Sequence, residues 1–233
     1  MNLRTAVSNI HRDPLWWRKV LIGGALCLTV FGMPWAAGLV MQSYDNVRRG
    51  YPTPLPPGGD WSTRYIIGFM ALMIDFVFFL LPVMVVGFVV LCGSLALALS
   101  TTRMSLSAPG MVGLAIIALY WLFMFGISVA PVSRLIYAAD GRAEETMNMQ
   151  TIRDALHPEV RADYARARLR SLPAYLPALL LGLLCWLVLT GALPGALLAA
   201  LVLLWLTLSA LLYAHLVVAQ LYATIAHEKR LYI

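Results

Sequence analysis

Long apolar stretches alternate with shorter polar segments along this chain, and the stretches are long enough to cross a membrane. A bilayer core of about 30 Å is crossed by about 20 helical residues. Stretches of this length occur at Val20 to Met41, Met111 to Ala130, Leu172 to Thr190 and Gly195 to Tyr222. The last two, joined only by residues 191–194, must form a tight antiparallel hairpin. The pattern predicts an all-α, polytopic helical bundle made of one integral membrane domain, residues 1–233.

A further apolar stretch, Tyr65 to Leu99, is much longer than one crossing requires. It would form a helix of about 52 Å at about 1.5 Å per residue, and Pro82 lies near its middle. Because proline removes a helical hydrogen bond and clashes with the preceding turn, we expect a Pro-broken hairpin of two short spans or a re-entrant pair. This interpretation brings the total to about six transmembrane helices.

The distribution of Lys and Arg orients these spans. With a hairpin at Tyr65 to Leu99, 13 of the 17 basic residues lie on the side of the N-terminus, whereas a single crossing there would leave 5 on that side. Segments rich in Lys and Arg stay cytoplasmic. We therefore expect both termini on the cytoplasmic side of the inner membrane, with a cytoplasmic N-terminal segment at 1–19, an external Pro-rich loop at 42–64 and a cytoplasmic connector at 132–171.

The connector at 132–171 carries charges of both signs. In its second half Val160, Tyr164 and Ala167 fall on one face of a helix at i, i+4, i+7 spacing, and Pro158 is typical of a first helical turn. Two interpretations stay open. The segment is either an interfacial helix that leads into the next span or a plain solvated connector.

The composition agrees with a membrane location and argues against a soluble domain, a nucleic-acid-binding protein and a disulfide- or metal-stabilised fold. The chain is 61% hydrophobic and 12% charged, whereas soluble domains are about 25% charged. Its net charge of +6 comes from arginines beside the spans, where anionic lipids explain it, so no nucleic-acid partner is expected. Cys27, Cys92 and Cys185 lie in separate apolar stretches, which favours buried hydrophobic side chains over a metal site or disulfides.

Aromatic and cationic side chains at the ends of the apolar stretches are typical of membrane interfaces. The expected interfacial anchors are Trp16, Trp17, Arg18, Lys19, Trp61 and Tyr175. Lipid head groups explain these positions without any further ligand.

Asp75 is the one acidic residue that this pattern places in the hydrocarbon. An ionised carboxylate there is costly, so it must be protonated, paired or next to a wet cavity. One interpretation is a transport path lined by Asp75 and the helix break at Pro82. The alternative is a structural hydrogen bond to a neighbouring helix. Candidate partners for that bond are Ser94, Tyr120, His215 and Gln220.

His215 and Gln220 are the other polar candidates within a span. A neutral imidazole is able to ligate a single chlorin or haem, but the remaining histidines lie in polar segments, so a bis-histidine haem within one subunit is excluded. A hydrogen bond to another helix is the alternative for His215. No other cofactor is expected, and no motif of a metal centre or a catalytic nucleophile occurs. The chain is therefore not expected to be an enzyme.

Several short motifs occur in a succession that resembles one known family. Leu55-Pro56-Pro57 is followed by Asp60-Trp61 and then by Leu81-Pro82. A Tyr-Ala-x-x-Gly element follows at Tyr137 to Gly141, with Tyr175 before the next span. The succession resembles the prokaryotic multi-pass membrane proteins catalogued as domain of unknown function 4013. The resemblance implies a six-helix membrane fold and no particular activity.

Three functional hypotheses follow. The lack of catalytic motifs and the small soluble segments favour a non-catalytic accessory or scaffold subunit of a larger respiratory, photosynthetic or transport assembly, with lipids and other integral membrane subunits as partners. The alternative is a small permease or channel-like transporter that uses Asp75 and Pro82. The second alternative is a pigment- or haem-binding subunit that uses His215.

Overall fold

A computed structural model describes residues 2–100, 107–191 and 196–231. Within these residues the chain forms α-helices joined by short turns, which confirms the all-α prediction. The helices are α1 Leu3–His11, α2 Trp16–Cys27, α3 Met33–Arg48, α4 Trp61–Asp75, α5 Leu81–Ser100, α6 Ser107–Gly126, α7 Val129–Asp140, α8 Ala143–Thr146, α9 Met149–Ala155, α10 Arg161–Ser171, α11 Leu176–Thr190 and α12 Ala196–Glu228. A π-helical turn, Phe76–Leu80, joins α4 to α5, and 3-10 turns occur at Val30–Gly32 and Leu172–Tyr175.

Three helical runs are long and apolar enough to cross a membrane: Trp61–Gly93, Arg161–Thr190 and Ala196–Glu228. A fourth candidate is the pair Val112–Gly126 and Val129–Asp140, which meet at an angle of 51°. Large apolar side chains on these runs face outward, as contact with lipid requires. These features indicate a multi-pass membrane protein with three or four candidate spans among the described residues, rather than the six expected.

The run from α10 to α11 lies antiparallel to α12. The rings of Tyr164 and Tyr222 are 5.4 Å apart, and further along the pair Cys185 Sγ donates to the carbonyl oxygen of Ala200 at 3.4 Å. The antiparallel pair predicted for the last two apolar stretches is therefore confirmed, while residues 192–195 of its turn lie outside the described residues.

The charged connector contains the predicted amphipathic helix. α10 begins at Arg161, after a turn that holds Pro158. Val160, Tyr164 and Ala167 are all buried, as their i, i+4, i+7 spacing predicts. Because this face packs against the C-terminal half of α12, α10 is part of the protein core rather than a solvated connector.

The hairpin predicted within Tyr65 to Leu99 is wrong. α4, the π-helical turn and α5 form one helical run that continues through Pro82. α5 pairs instead with α6, where a Cβ added at Gly113 would lie 2.5 Å from the Val90 side chain. α5 and α6 are thus antiparallel, and residues 101–106 between them lie outside the described residues.

Helix α6 provides a donor for the carbonyl that Pro82 leaves without one. Pro82 has no N–H, so the carbonyl of Phe78, four residues earlier, lacks its usual helical donor. The Tyr120 hydroxyl donates to this oxygen at 2.5 Å, and Trp121 Nε1 donates to the neighbouring Phe79 carbonyl at 3.3 Å. Membrane helices tolerate internal proline when neighbouring helices satisfy the freed carbonyls in this way. The helix therefore continues instead of reversing.

The single span predicted at Val20 to Met41 is divided into α2 and α3. The helix is interrupted at residues 28–32. A Cβ added at Gly32 would lie 2.2 Å from the carbonyl oxygen of Leu26, so the chain folds back tightly on the end of α2. This sharp turn divides the stretch that the sequence predicts as one continuous span.

Helix α2 runs antiparallel to α12. The rings of Trp16 and Tyr213 are 5.5 Å apart. Near the other end of α2, a Cβ added at Gly24 would lie 2.0 Å from Ser209 Oγ. From the start of α2 to its end, the contacts on α12 therefore move from Tyr213 back to Ser209.

Helix α3 runs parallel to α12. Gln220 Nε2 donates to Ser43 Oγ at 3.3 Å, and the Arg48 carbonyl oxygen lies 2.8 Å from His227 Nδ1. Because α2 and α3 follow the same helix in opposite directions, they form a hairpin that returns to the end from which it started.

The Pro-rich segment packs beside both terminal segments. Lys19 Nζ donates to the Pro56 carbonyl at 2.7 Å, and Leu55 is buried in one cluster with Ala6 and Ala226. This segment therefore lies at the same end of the molecule as both terminal segments, rather than at the opposite end as the predicted external loop. We refer to this end, with residues 2–19, 49–60, 141–170 and 223–231, as the polar end.

Helices α3 and α4 meet at backbone contact through two glycines. A Cβ at Gly38 would lie 1.9 Å from the carbonyl oxygen of Arg64, and a Cβ at Gly68 would lie 1.7 Å from that of Pro34. Small residues allow this close approach of membrane helices. No larger side chain fits at either position unless one helix moves.

Gly68→Ala should lower the free energy of unfolding by about 1–3 kcal/mol, the usual cost of overpacking. Gly87→Ala is the matched control, because, apart from its own stretch of helix, none of the described residues comes within 4 Å of a methyl group added at Gly87. Thermal unfolding of both variants in one detergent measures the difference. Equal melting temperatures would argue against the close contact.

Tyr120→Phe removes the donor to the Phe78 carbonyl and should destabilise the protein by about 1 kcal/mol. Pro82→Ala restores a backbone N–H for the same oxygen, so Tyr120→Phe should cost less in that background. A double-mutant cycle by thermal unfolding measures this coupling. Strictly additive effects would show that the hydroxyl does not replace the missing N–H.

Candidate functional site

A cavity of about 510 Å³ lies between the α6–α7 bend and the α10–α12 hairpin. Ligand pockets usually measure roughly 300–1,000 Å³. Leu176 and Leu179 at its edge are 54% and 66% exposed, so the cavity opens sideways onto the apolar surface. Its wall includes the apolar residues Phe79, Met124, Phe125, Leu176 and Leu179 and the polar residues Arg134, Arg168, Tyr175 and His215.

The bend between α6 and α7 turns α7 across the cavity. Ser128, between the two helices, has a φ of 62°, a left-handed conformation that is uncommon for residues other than glycine. Its hydroxyl lies 2.6 Å from the Tyr222 hydroxyl on α12, which ties the bend to the long helix. Pro131 follows in the first turn of α7, where its missing N–H has no helical partner to lose. The bend places Arg134 in the cavity wall.

Asp75 forms an ion pair with Arg134. Arg134 Nη2 lies 2.6 Å from Asp75 Oδ2, and the two side chains are 14% and 23% exposed. Of the states expected for an acid in an apolar helix, the structure thus shows the paired one, although the partner is none of the four side chains that the sequence suggested. Asp75 Oδ1 is buried and has no hydrogen-bond partner among the described residues. Among these residues the carboxylate therefore relies on Arg134 both for a hydrogen bond and for neutralisation of its charge.

Arg168 reaches the cavity from α10 without a carboxylate partner. It is 7% exposed, and its guanidinium carbon lies 4.1 Å from the ring centre of Phe125 and 5.7 Å from that of Tyr222. No acidic side chain of the described residues forms an ion pair with it. Aromatic faces attract a cation but do not neutralise it, and a buried unpaired charge is costly. The cavity therefore carries one uncompensated positive charge.

His215 lies in the cavity wall beside Tyr175. The two rings meet edge to face, with centres 5.7 Å apart. Tyr175, expected as an interfacial anchor, thus contributes to the cavity. In the part of the chain that the structure describes, no group of three or more His, Cys, Asp or Glu side chains is placed to hold a metal ion. Ligation of a chlorin or haem by His215 stays a prediction.

Gln220 and Trp61 lie away from the cavity. Gln220 is 1% exposed and is bonded to Ser43 at the contact between α3 and α12. Trp61 is half exposed at the start of α4, with its ring centre 4.8 Å from that of Trp35.

The remaining expected anchors surround the start of α2. Trp17 is exposed, with the Arg18 guanidinium 5.1 Å from its ring centre. Trp16 stacks on His11 at 4.4 Å, while Lys19 Nζ lies 2.5 Å from a carboxylate oxygen of Asp13. Trp16 and Lys19 therefore also join α1 to α2, and anchoring by these four residues at a membrane interface stays a prediction.

Sequence reasoning missed both arginines of the cavity. Arg134 was counted with the polar connector, although it directly precedes apolar Leu135 within a helix that continues the preceding span. Arg168 is not among the residues that the helical spacing assigns to the buried face, yet it follows Tyr164 by four residues and Ala167 by one. That spacing assigns it to the edge of the buried face and could have identified it.

A family model described as "protein of unknown function (DUF4013)" matches residues 21–187, which is most of the chain. The chain belongs to this family. The resemblance drawn from the short motifs is thus confirmed. In this DUF4013 protein Asp75, Arg134 and Arg168 lie within the matched range, whereas His215 lies beyond it. No curated protein and no solved structure matches the chain.

Asp75→Asn should destabilise the protein by about 3 kcal/mol, because it leaves Arg134 buried without its counter-ion. Glu145→Gln is the control, since Glu145 and its partner Arg142 are 55% and 72% exposed and such pairs contribute less than about 1 kcal/mol. Chemical unfolding in detergent measures both changes. An Asp75→Asn protein as stable as Glu145→Gln would mean that the pair is not needed.

Proposed function

We propose that this DUF4013 protein is a non-catalytic membrane protein that binds an amphiphile with an anionic head group in the cavity beside α12. One observation carries the proposal: Arg168 is a buried cation without an acidic partner among the described residues, and it faces an apolar cavity that opens sideways. A carboxylate or phosphate head would neutralise Arg168. An apolar tail would cover Leu176 and Leu179 at the cavity edge.

The charges of the cavity favour a head group with one negative charge. Arg134 and Asp75 neutralise one another at 2.6 Å, which leaves Arg168 as the cation without a counter-ion. A guanidinium binds the oxygens of carboxylate or phosphate through two parallel hydrogen bonds. Binding in the apolar cavity strengthens such bonds, because little water competes.

The hypotheses of an accessory subunit and of a permease stay proposals. The accessory role is supported by the small size of the polar segments, which leaves recognition of other proteins mainly to the apolar helices. The permease hypothesis included a path lined by Asp75 and a broken hairpin at Pro82. It has less support than lipid binding, because the hairpin is a continuous helix and Asp75 is paired with Arg134.

We further infer four crossings with the polar end in the cytoplasm, which retains the expected side for both termini. With the four candidate spans, only α5, α6, α11 and α12 reach the opposite end, and in the sequence they are joined by the connections 101–106 and 191–195. Of the 17 Lys and Arg residues, only Arg103 falls in either connection. The excess of Lys and Arg on one side of the membrane is larger than the excess calculated for six spans. The positive-inside rule therefore supports a cytoplasmic polar end.

Loss of the Arg168 charge should weaken binding of anionic lipid. Arg168→Gln should reduce retained phosphatidylglycerol by at least about ten-fold, since hydrogen bonds to charged groups contribute roughly 1.5–3 kcal/mol. The protein is reconstituted with equal amounts of phosphatidylglycerol and phosphatidylcholine, and bound lipid is counted by native mass spectrometry. Arg166→Gln, on the same helix with a 63% exposed side chain, is the matched control and should retain lipid.

Two further results decide this proposal. A wild-type protein that shows no preference for phosphatidylglycerol, or an equal loss in both variants, would contradict a site at Arg168. Inorganic phosphate distinguishes a lipid from a free anion: it should not displace the lipid if the tail contributes to binding. Displacement at millimolar phosphate would indicate a site for the anion alone.

A further inference from the structure

The turn between α2 and α3 lies beside the apolar part of α12. Trp205 Nε1 donates to the Leu21 carbonyl at 2.9 Å, and Gly24 contacts Ser209. At about 1.5 Å per residue, Ser209 is about 20 Å from the start of α12 at Ala196. The hairpin therefore reverses next to the apolar half of α12, well before the end of the molecule opposite the polar end.

Apolar side chains project outward from this turn. Leu28, Val30 and Phe31 are 43%, 76% and 83% exposed, and no part of the described chain covers Val30 or Phe31. The nearby surface of α12 is apolar too, with Leu201 and Val202 half exposed. The exposed tip is thus as apolar as the surface of α12 just before Trp205.

Several polar groups of the turn are satisfied from within the turn. Thr29 Oγ1 donates to the Leu26 carbonyl at 2.9 Å and accepts the Gly32 N–H at 3.1 Å. The backbone N–H groups of Leu28 and Thr29 donate to the carbonyls of Ala25 and Leu26. Water would satisfy these groups without such an arrangement, whereas hydrocarbon cannot.

The base of the hairpin, formed by the start of α2 and the end of α3, carries basic residues on both helices. Arg18 and Lys19 lie in the first turn of α2, and Arg48 and Arg49 lie at the end of α3. Asp13 pairs with Lys19 and Asp45 pairs with Arg48 and Arg49, so the four cations exceed these two carboxylates by two charges. Anionic lipid head groups attract such clusters. The hairpin therefore combines a cationic base at the polar end with an apolar tip about half a bilayer away.

We propose that α2 and α3 form a half-crossing hairpin, whose tip at residues 28–31 inserts among lipid acyl chains and returns to the polar end. The partner of this surface is the hydrocarbon of the leaflet next to the polar end. The hairpin does not depend on a ligand in the cavity of Arg168. It explains how the N-terminal third contains a long apolar stretch without adding a crossing.

Cysteine labelling tests the depth of the tip. Phe31→Cys is compared with Thr53→Cys at the polar end and Thr190→Cys at the opposite end, with a membrane-impermeant maleimide applied to intact cells and to inverted vesicles. The native cysteines Cys27, Cys92 and Cys185 are first replaced with alanine. We expect Thr53→Cys to react in inverted vesicles, Thr190→Cys in intact cells, and Phe31→Cys in neither until the protein is denatured.

Reaction of Phe31→Cys from either side of the sealed membrane would overturn the proposal. Labelling together with Thr190→Cys would mean a full crossing, and labelling together with Thr53→Cys would mean a tip in water. If the two controls exchange sides while Phe31→Cys stays protected, the inferred orientation fails and the half-crossing hairpin is still supported. Val30→Cys repeats the measurement should Phe31→Cys fail to fold.

A second pair of variants tests the internal hydrogen bonds of the tip. Thr29→Val keeps the shape of the side chain but removes its hydroxyl, while Thr29→Ser keeps the hydroxyl. In lipid vesicles Thr29→Val should lower the melting temperature clearly and Thr29→Ser should not. Equal melting temperatures would indicate that water satisfies the turn, which contradicts insertion among acyl chains.

Discussion

Hydrocarbon offers no hydrogen bonds, and this constraint governs every described place where an apolar helix of the protein is interrupted. The carbonyl freed by Pro82 accepts a hydrogen bond from Tyr120. At the tip of the N-terminal hairpin, the hydroxyl of Thr29 bonds to two backbone groups. At the bend before α7, Ser128 is tied to Tyr222. At each of these three places a side chain forms a hydrogen bond beside the irregular backbone, so a few polar groups stabilise the paths of otherwise uniform helices.

Helix α12 divides the molecule into two environments. Its C-terminal half, including Leu216 and Tyr222, is buried against α1, α3, α7 and α10, whereas Leu197 and Leu198 in its first turn are more than 70% exposed. The first environment is packed like the interior of a soluble protein, and the second faces lipid. The cavity lies where the two meet, which accounts for a wall that is apolar on one side and holds arginines on the other.

The sequence predicted those features that depend on neighbours along the chain. Helical periodicity identified the buried face of α10 at Tyr164 and Ala167, and the short connection predicted the pairing of α11 with α12. The sequence did not predict the features that depend on contacts between residues far apart in the chain. Whether Pro82 breaks a helix depends on a donor from α6, and the state of Asp75 depends on Arg134 beyond a bend. Neither contact leaves a local pattern, so the cavity could not be predicted as a site.

The two antiparallel pairs, α5 with α6 and α11 with α12, have a consequence for how the protein enters a membrane. Their connections, 101–106 and 191–195, contain no acidic residue and a single basic one, Arg103. In the four-crossing arrangement, insertion of each pair moves only a short segment across the bilayer, with at most one charge to dehydrate. The helices of a pair can therefore enter together as a preformed unit, and neither polar terminal segment has to be translocated.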